Sequence, residues 1–269
     1  MTEIFNGTTI TLNVEKYSNN KITISEDKVI VEYPLTIYVN DEEWITLLCS
    51  GKDQYYLAVG FMYSEGIVKS IDDIESWHMN QEEGKIYLNV KENIELRNKM
   101  KGKRTITTGC GKGTVFYDVL DALTTKPITN NMRINPELII EKASEFQKQS
   151  QLFIETGGVH ACALYERDTM LCFHEDIGRH NALDKVIGQM LASNIAVEEG
   201  WLLVSGRISS EIVIKASRLN IGLLASRSAP TNLAVEIAGK IQLTLIGFAR
   251  GNRFNLYTGG ERLLFNSKE

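Results

Sequence analysis

From Val159 to Phe248 the chain alternates apolar runs of strand length with stretches of helical spacing. Val159–Tyr165 and Met170–His174 read as two strands joined by a polar turn at Glu166–Thr169. Arg179–Ala192 has helical spacing through Leu183, Val186, Ile187 and Met190. Trp201–Val204 reads as a short apolar strand and Ser209–Leu219 as a helix with a serine cap. Ile221–Ala225 reads as a strand, Pro230–Lys240 as a helix and Leu243–Phe248 as a strand. Strand–helix–strand–helix–strand order predicts an α/β class, a sheet covered by helices on both faces, with sites at the strand ends. No internal repeat is visible.

The first half is richer in strands. Lys21–Val31, Tyr33–Val39 and Lys85–Val90 have strand character. Asp53 reads as the cap of a helix through about Glu65, with Leu57, Phe61 and Met62 near one face. Thr114–Leu123 resumes helical periodicity. Asn135-Pro136 starts another helix, to about Ser150, because Asn135 has a side chain able to cap it and proline at the first helical position loses no hydrogen bond. The patternless stretch between Leu123 and Asn135 suggests a boundary. The expected organisation is a smaller strand-rich N-terminal α+β subdomain over residues 1–130 and an α/β core over residues 131–269.

Composition excludes several classes. A chain of 269 residues buries enough surface for a real core and needs no disulfide staple. A net charge of −5 argues against a dedicated nucleic-acid binder. No apolar stretch reaches the roughly 18–20 residues of a membrane span. The N-terminus lacks the basic start and apolar run of a signal peptide, so the expected location is the reducing cytoplasm.

The four cysteines, Cys49, Cys110, Cys162 and Cys172, form no Cys-x-x-Cys pair. Cys162 and Cys172 lie in apolar strand patterns and Cys49 follows Leu47-Leu48, so all three read as core. Cys110 differs. It sits in TTGCGKGT between glycines 109, 111 and 113, beside Lys112. The stretch Arg97 to Lys112 holds six basic residues and no acidic one. Helix N-termini and nearby cations favour thiolate, so this is the setting of a reactive thiol. The alternative is a small buried residue.

His160, His174, Glu175, Asp176 and His180 cluster in sequence. Their spacing fits no known zinc pair, and the zinc deaminase signature is missing, so no metal site is expected. HEDIGRHN reads instead as a turn into a helix, its polar groups tying a loop or touching a ligand. Arg207, Arg227 with Ser228, and Arg250 with Arg253 around Gly251 all fall at strand ends. Guanidiniums there clamp phosphate bidentately, which points to a phosphorylated or nucleotide ligand. There is no Walker loop and no GxGxxG, so ordinary ATPase or NAD chemistry is disfavoured.

These segments together resemble the formate dehydrogenase accessory sulfurtransferases, the FdhD/NarQ family. The matching stretches are YPLTIYVN (33–40), LAVGFMYSEGI (57–67), TTGCGKG (107–113), TGGVHACAL (156–164), HEDIGRHNALDKVIG (174–188), SGRISSEIVIKA (205–216), SAPTNLAVEIA (228–238) and LTLIGFARGNRFNLYT (243–258). The resemblance implies a cytidine-deaminase-like layered α/β core without catalytic zinc, in a cytoplasmic homodimer. It implies a sulfur carrier that accepts sulfane sulfur from a cysteine desulfurase as a persulfide on Cys110. The sulfur then passes to molybdenum (or tungsten) bound by two molybdopterin guanine dinucleotides, and the sulfurated cofactor enters formate dehydrogenase. The family's cofactor-binding stretch maps to Phe248, Ala249, Arg250, Gly251, Asn252 and Arg253. Many members have Cys-Gly-x-Cys in the loop. Here the second position is Gly113, which leaves a single-cysteine carrier. A cofactor-sheltering chaperone without covalent sulfur chemistry, and a hydrolase of deaminase fold, are the competing readings.

Overall fold

The computed structural model describes residues 7–91 and 127–265. Cys110, the basic stretch from Arg97 to Lys112 and the helix expected over Thr114–Leu123 lie outside the described residues.

The second half forms a six-stranded sheet from β7 (His160–Glu166), β8 (Thr169–Asp176), β9 (Gly200–Val204), β10 (Leu223–Ser226), β11 (Thr244–Arg250) and β12 (Arg253–Thr258). Their order is β12-β11-β10-β9-β7-β8. β9, β10 and β11 run parallel, while β7, β8 and β12 pair antiparallel to their neighbours. Every residue of β9 is buried, as expected of a strand covered on both faces.

Side-chain alternation divides β7 between two cores. Cys162 and Leu164 pack with α4 (Arg179–Ala192), α5 (Ser210–Ser217) and α6 (Asn232–Lys240). Ala161, Ala163 and Tyr165 pack with Ile139, Ala143 and Phe146 of α2 (Pro136–Gln149). The α/β class and the covering of both sheet faces follow the sequence expectation. A short helix, α3 (Gln151–Thr156), leads from α2 into β7.

The first half contributes a four-stranded sheet in the order β4-β3-β6-β5, from β3 (Tyr33–Val39), β4 (Glu42–Cys49), β5 (Ile74–Asn80) and β6 (Lys85–Val90). Helix α1 (Gln54–Ser64) packs on its apolar face. Leu57 through Met62 are all buried, because α1 is sandwiched between this sheet and α4 rather than lying on the surface. Gly60 and Gly188 make that approach possible. A Cβ on Gly60 would stand 2.6 Å from the Asp184 carbonyl carbon, and one on Gly188 would stand 2.6 Å from that of Tyr56.

A two-stranded hairpin, β1 (Thr9–Ser18) and β2 (Lys21–Ile30), turns at Asn19 and Asn20, both with positive φ. Its Ile22 and Ile24 are exposed, and Lys28 meets Glu155 of α3 at 2.9 Å.

Three expected caps are not formed as such. The side chains of Asp53, Asn135 and Ser209 make no cap hydrogen bond. Asp53 instead meets His174 Nδ1 at 3.1 Å, and Ser209 Oγ lies 3.3 Å from His180 Nε2. Tertiary partners outcompete the local cap. Helix α6 starts at Asn232, two residues later than expected, capped by Thr231, because Pro230 bridges to Ile208.

Candidate functional site

The three parallel strands end side by side, and their following loops are knitted together. Ser226 Oγ donates to Gly206 O at 2.7 Å and accepts from Ser228 N at 2.9 Å. Phe248 N donates to Ser228 O at 3.0 Å. A cleft of about 540 Å³ opens at this edge, a size common for small-molecule sites. Its wall includes His160, Ser205, Arg227, Ser228, Phe248 and Arg250, closed by Phe146, Gln147 and Phe153 from α2 and α3. This is the carboxyl-end crevice where open α/β sheets bind ligands.

Phe248 adopts φ +55°, in the left-handed region that a bulky residue occupies only at a cost of about 1–3 kcal/mol. The register between β11 and β12 shifts between Gly247 and Arg250, so a bulge turns Phe248 towards the cleft. The Arg250 guanidinium stands 5.6 Å from its ring centre, within cation–π range. A Cβ on Gly247 would meet Pro230 Cδ and Tyr257 Cε2 at 3.0 Å, so glycine lets the bulge seat against the neighbouring loop.

Arg227 reaches across to α2, donating to Ala143 O at 2.9 Å and Gln147 Oε1 at 2.6 Å. Burial, followed by the nearby charge of Arg250, lowers its proton affinity. Two guanidiniums thus share a wall to which, among the described residues, no Asp or Glu contributes. An oxyanion would relieve that repulsion and accept from both.

Of the residues expected to hold a ligand, Phe248 and Arg250 lie in the cleft wall. Ala249 points the other way into the core. Gly251 and Asn252 form the tight turn to β12, where Arg253 pairs with Arg250. Arg227 and Ser228 join the cleft, while Arg207 is exposed on the loop after β9. His160, Ser205, Phe146, Gln147 and Phe153 were not singled out as ligand residues. Of these only His160 carried a signal, its place in the histidine-rich cluster.

That cluster is mostly a set of ties. Glu175 accepts from Ser150 Oγ and from the backbone of Leu152 and Phe153, holding α3. The fully buried Asp176 and Lys185 pair at 2.6 Å. Ser50 donates to Asp176 through N and Oγ at 3.1 and 3.3 Å, and Lys185 donates to Ser50 Oγ at 2.9 Å. Asn181 joins Leu48 O to Asp176, both at 2.8 Å. Asp184 receives Lys215 and Ser64, each at 2.6 Å. His180 meets Glu211 at 3.1 Å. Burial, then Lys215, Arg179 and His160, press its pKa down to about 3, so it is neutral.

Cys49, Cys162 and Cys172 are buried, as the sequence suggested. Burial, then Asp176, raises Cys49 to about 12. Burial, then Cys172, raises Cys162 well above an ordinary thiol. Burial alone raises Cys172 to about 11. These thiols resist ionisation at neutral pH.

The FdhD/NarQ family profile matches residues 30–264. The chain belongs to the FdhD/NarQ family. Among curated relatives, "Sulfur carrier protein FdhD" from Bacillus licheniformis is 38% identical over 258 residues, covering 96% of this chain and 98% of the relative. The protein of the same name from Bacillus subtilis is 37% identical over 251 residues, covering 93% and 96%. A crystal structure from Desulfotalea psychrophila, of a chain assigned as a formate dehydrogenase accessory protein, superposes with TM-score 0.78 at 23% identity. That match covers 96% of this FdhD/NarQ chain and all of the other, and shows a shared fold. No helix among the described residues is long and apolar enough to cross a membrane.

Proposed function

We propose that this chain is a sulfur carrier, with Cys110 as the thiol that holds the sulfur. The observation that carries the reading is the state of the other thiols. Three of the four cysteines are buried, with pKa values raised by that burial. That leaves Cys110, in its glycine-rich basic stretch, as the nucleophile. The name shared by the curated relatives supports the same role.

On this reading the Cys110 thiolate attacks the terminal sulfur of a cysteine desulfurase persulfide. A new S–S bond forms to Cys110, and the donor leaves as its thiolate. The S–S bond to Cys110 then breaks: the outer sulfur passes to molybdenum carried by two molybdopterin guanine dinucleotides, and Cys110 keeps its thiolate. Molybdenum(IV), oxidised to molybdenum(VI), supplies the two electrons that bring the sulfur to sulfide, before formate dehydrogenase takes up that cofactor. Here the cofactor is a substrate. The cleft suits its phosphates: Arg227 and Arg250 supply cations and Ser228 a hydroxyl. Transfer is stoichiometric, one sulfur per thiol, in the cytoplasm, and the working form is a homodimer.

Intact-mass spectrometry after incubation with a desulfurase and cysteine tests the proposal. The expected result is a gain of one sulfur per chain that disappears in Cys110→Ala. Formate dehydrogenase activation in cells carrying only that variant would remove the carrier role and leave the non-covalent chaperone.

A further inference from the structure

His160 opens β7 and stands in the cleft wall. Its Nδ1 lies 3.3 Å from Ser205 Oγ. That oxygen already accepts the Ala161 N–H, at 2.9 Å. The hydroxyl's own proton has Nδ1 as the acceptor within its reach among the described residues, and the arrangement that uses it has Ser205 donating to Nδ1. A neutral imidazole accepting at Nδ1 carries its proton on Nε2. The Nδ1 edge sits against the chain: a Cβ on Gly206 would come 3.1 Å from it and 3.2 Å from Arg179 Cβ. Among the described residues no group hydrogen-bonds Nε2.

Burial and then the charged surroundings disfavour the protonated ring. Arg179 and His180 face it from α4, Arg207 from the loop after β9, and Arg227 and Arg250 share its cleft. Asp176 lies opposite on β8, but its carboxylate is taken up by Ser50, Gly178, Asn181 and Lys185. Burial, then Arg179 and Arg207, hold His160 below its ordinary value. The ring therefore supplies a donor without adding charge to an arginine-rich wall.

We propose that His160 is a ligand-binding residue of the cleft: its Nε2–H, fixed in that tautomer by Ser205, donates to a phosphate oxygen of the bound nucleotide. The inference rests on the dinucleotide reading of the cleft. Ser205 acts as a positioning residue, through His160.

Calorimetric titration of the full-length chain with GDP tests this. His160→Ala should weaken GDP about tenfold, the loss of one hydrogen bond to a charged group. His160→Gln, whose amide can donate from near the Nε2 position, should stay within about threefold of the parent. Where the alanine variant fails to fold, His160→Asn, whose amide reaches only the Nδ1 position, takes its place and should lose affinity.

Ser205→Ala frees the ring to move its proton to Nδ1 and turn a lone pair towards the phosphate. Its affinity relative to the parent should fall at about pH 8 and recover only as the pH drops far enough for the ring, held below its ordinary value, to become an imidazolium and restore the donor. The ratio to the parent cancels the titration of GDP itself. Parent-like affinity in His160→Ala, or a parent-like pH profile in Ser205→Ala, overturns the proposal and leaves the dinucleotide reading standing. A parent chain that binds no GDP removes both.

Discussion

Gly188→Ala should destabilise the protein, although alanine is the better helix former. An added methyl would stand 2.6 Å from the Tyr56 carbonyl carbon and 2.9 Å from its Cα. Carbon atoms prefer about 3.5–4.0 Å, so α1 and α4 must part by roughly 1 Å. A gap of that size forfeits about a quarter to a half of each dispersion contact across it. For one buried leucine-sized side chain, with about forty contacts at ~0.1–0.2 kcal/mol, weakening by a third amounts to about 2 kcal/mol. Displacing α4 also strains Asp184, which holds Ser64 and Lys215 at 2.6 Å, by about 1 kcal/mol. The gain from replacing a helical glycine offsets about 1 kcal/mol. The net loss is about 2 kcal/mol, or roughly 4–8 °C in midpoint. Gly239→Ala on α6 is the control: its methyl would meet only Thr258 Cγ2, at 3.6 Å. It should leave stability unchanged or raise it by up to about 1 kcal/mol. Thermal and urea unfolding followed by circular dichroism read both. A Gly188→Ala protein as stable as the parent, or a Gly239→Ala protein losing as much, would refute the close-approach argument.

Lys185→Met leaves Asp176 buried beside one hydroxyl and three N–H donors but no cation; we expect a loss of about 3–5 kcal/mol in urea unfolding. A loss under about 1 kcal/mol would contradict it. Iodoacetamide at about pH 8 should modify one thiol per native chain, Cys110, and all four once unfolded. Cys172 and Cys49, raised to about 11 and 12, form thiolate only as pH climbs towards those values, so mass spectrometry should find them unmodified in the native protein. Phe248→Gly should relieve the left-handed backbone and gain about 1 kcal/mol while weakening GDP. Unchanged GDP affinity would remove Phe248 from the site. Arg250→Ala should weaken GDP about tenfold and Arg253→Ala much less, because only Arg250 lines the cleft. Calorimetry with equal losses for both would redraw the wall.

Several elements with one or both faces buried read well from the sequence. Tyr33–Val39, Lys85–Val90 and Arg179–Ala192 have the observed bounds, since burial imposes their periodicity. The hairpin strand Thr9–Ser18 left no such pattern, because nearly all of it is exposed. The caps expected at Asp53 and Ser209 do not form, for a different reason. A short polar side chain before a helix has a local partner available, and here histidines brought close by the fold claim it.

Local chemistry was enough to single out Arg227 and Arg250, which line one cleft, and to read Cys49, Cys162 and Cys172 as core. Spacing alone sufficed for that, because turns, helix starts and burial are encoded within a few residues. Which of those residues meet was decided by tertiary structure. His160, Ser205, Arg227 and Phe248 come from four strands or the loops that follow them. They converge only because β9, β10 and β11 lie side by side with β7 next to β9. Strand order is set by packing across the whole sheet, and so is the bulge that turns Phe248 towards the cleft. No local pattern carries either, because both depend on contacts between residues far apart in the chain.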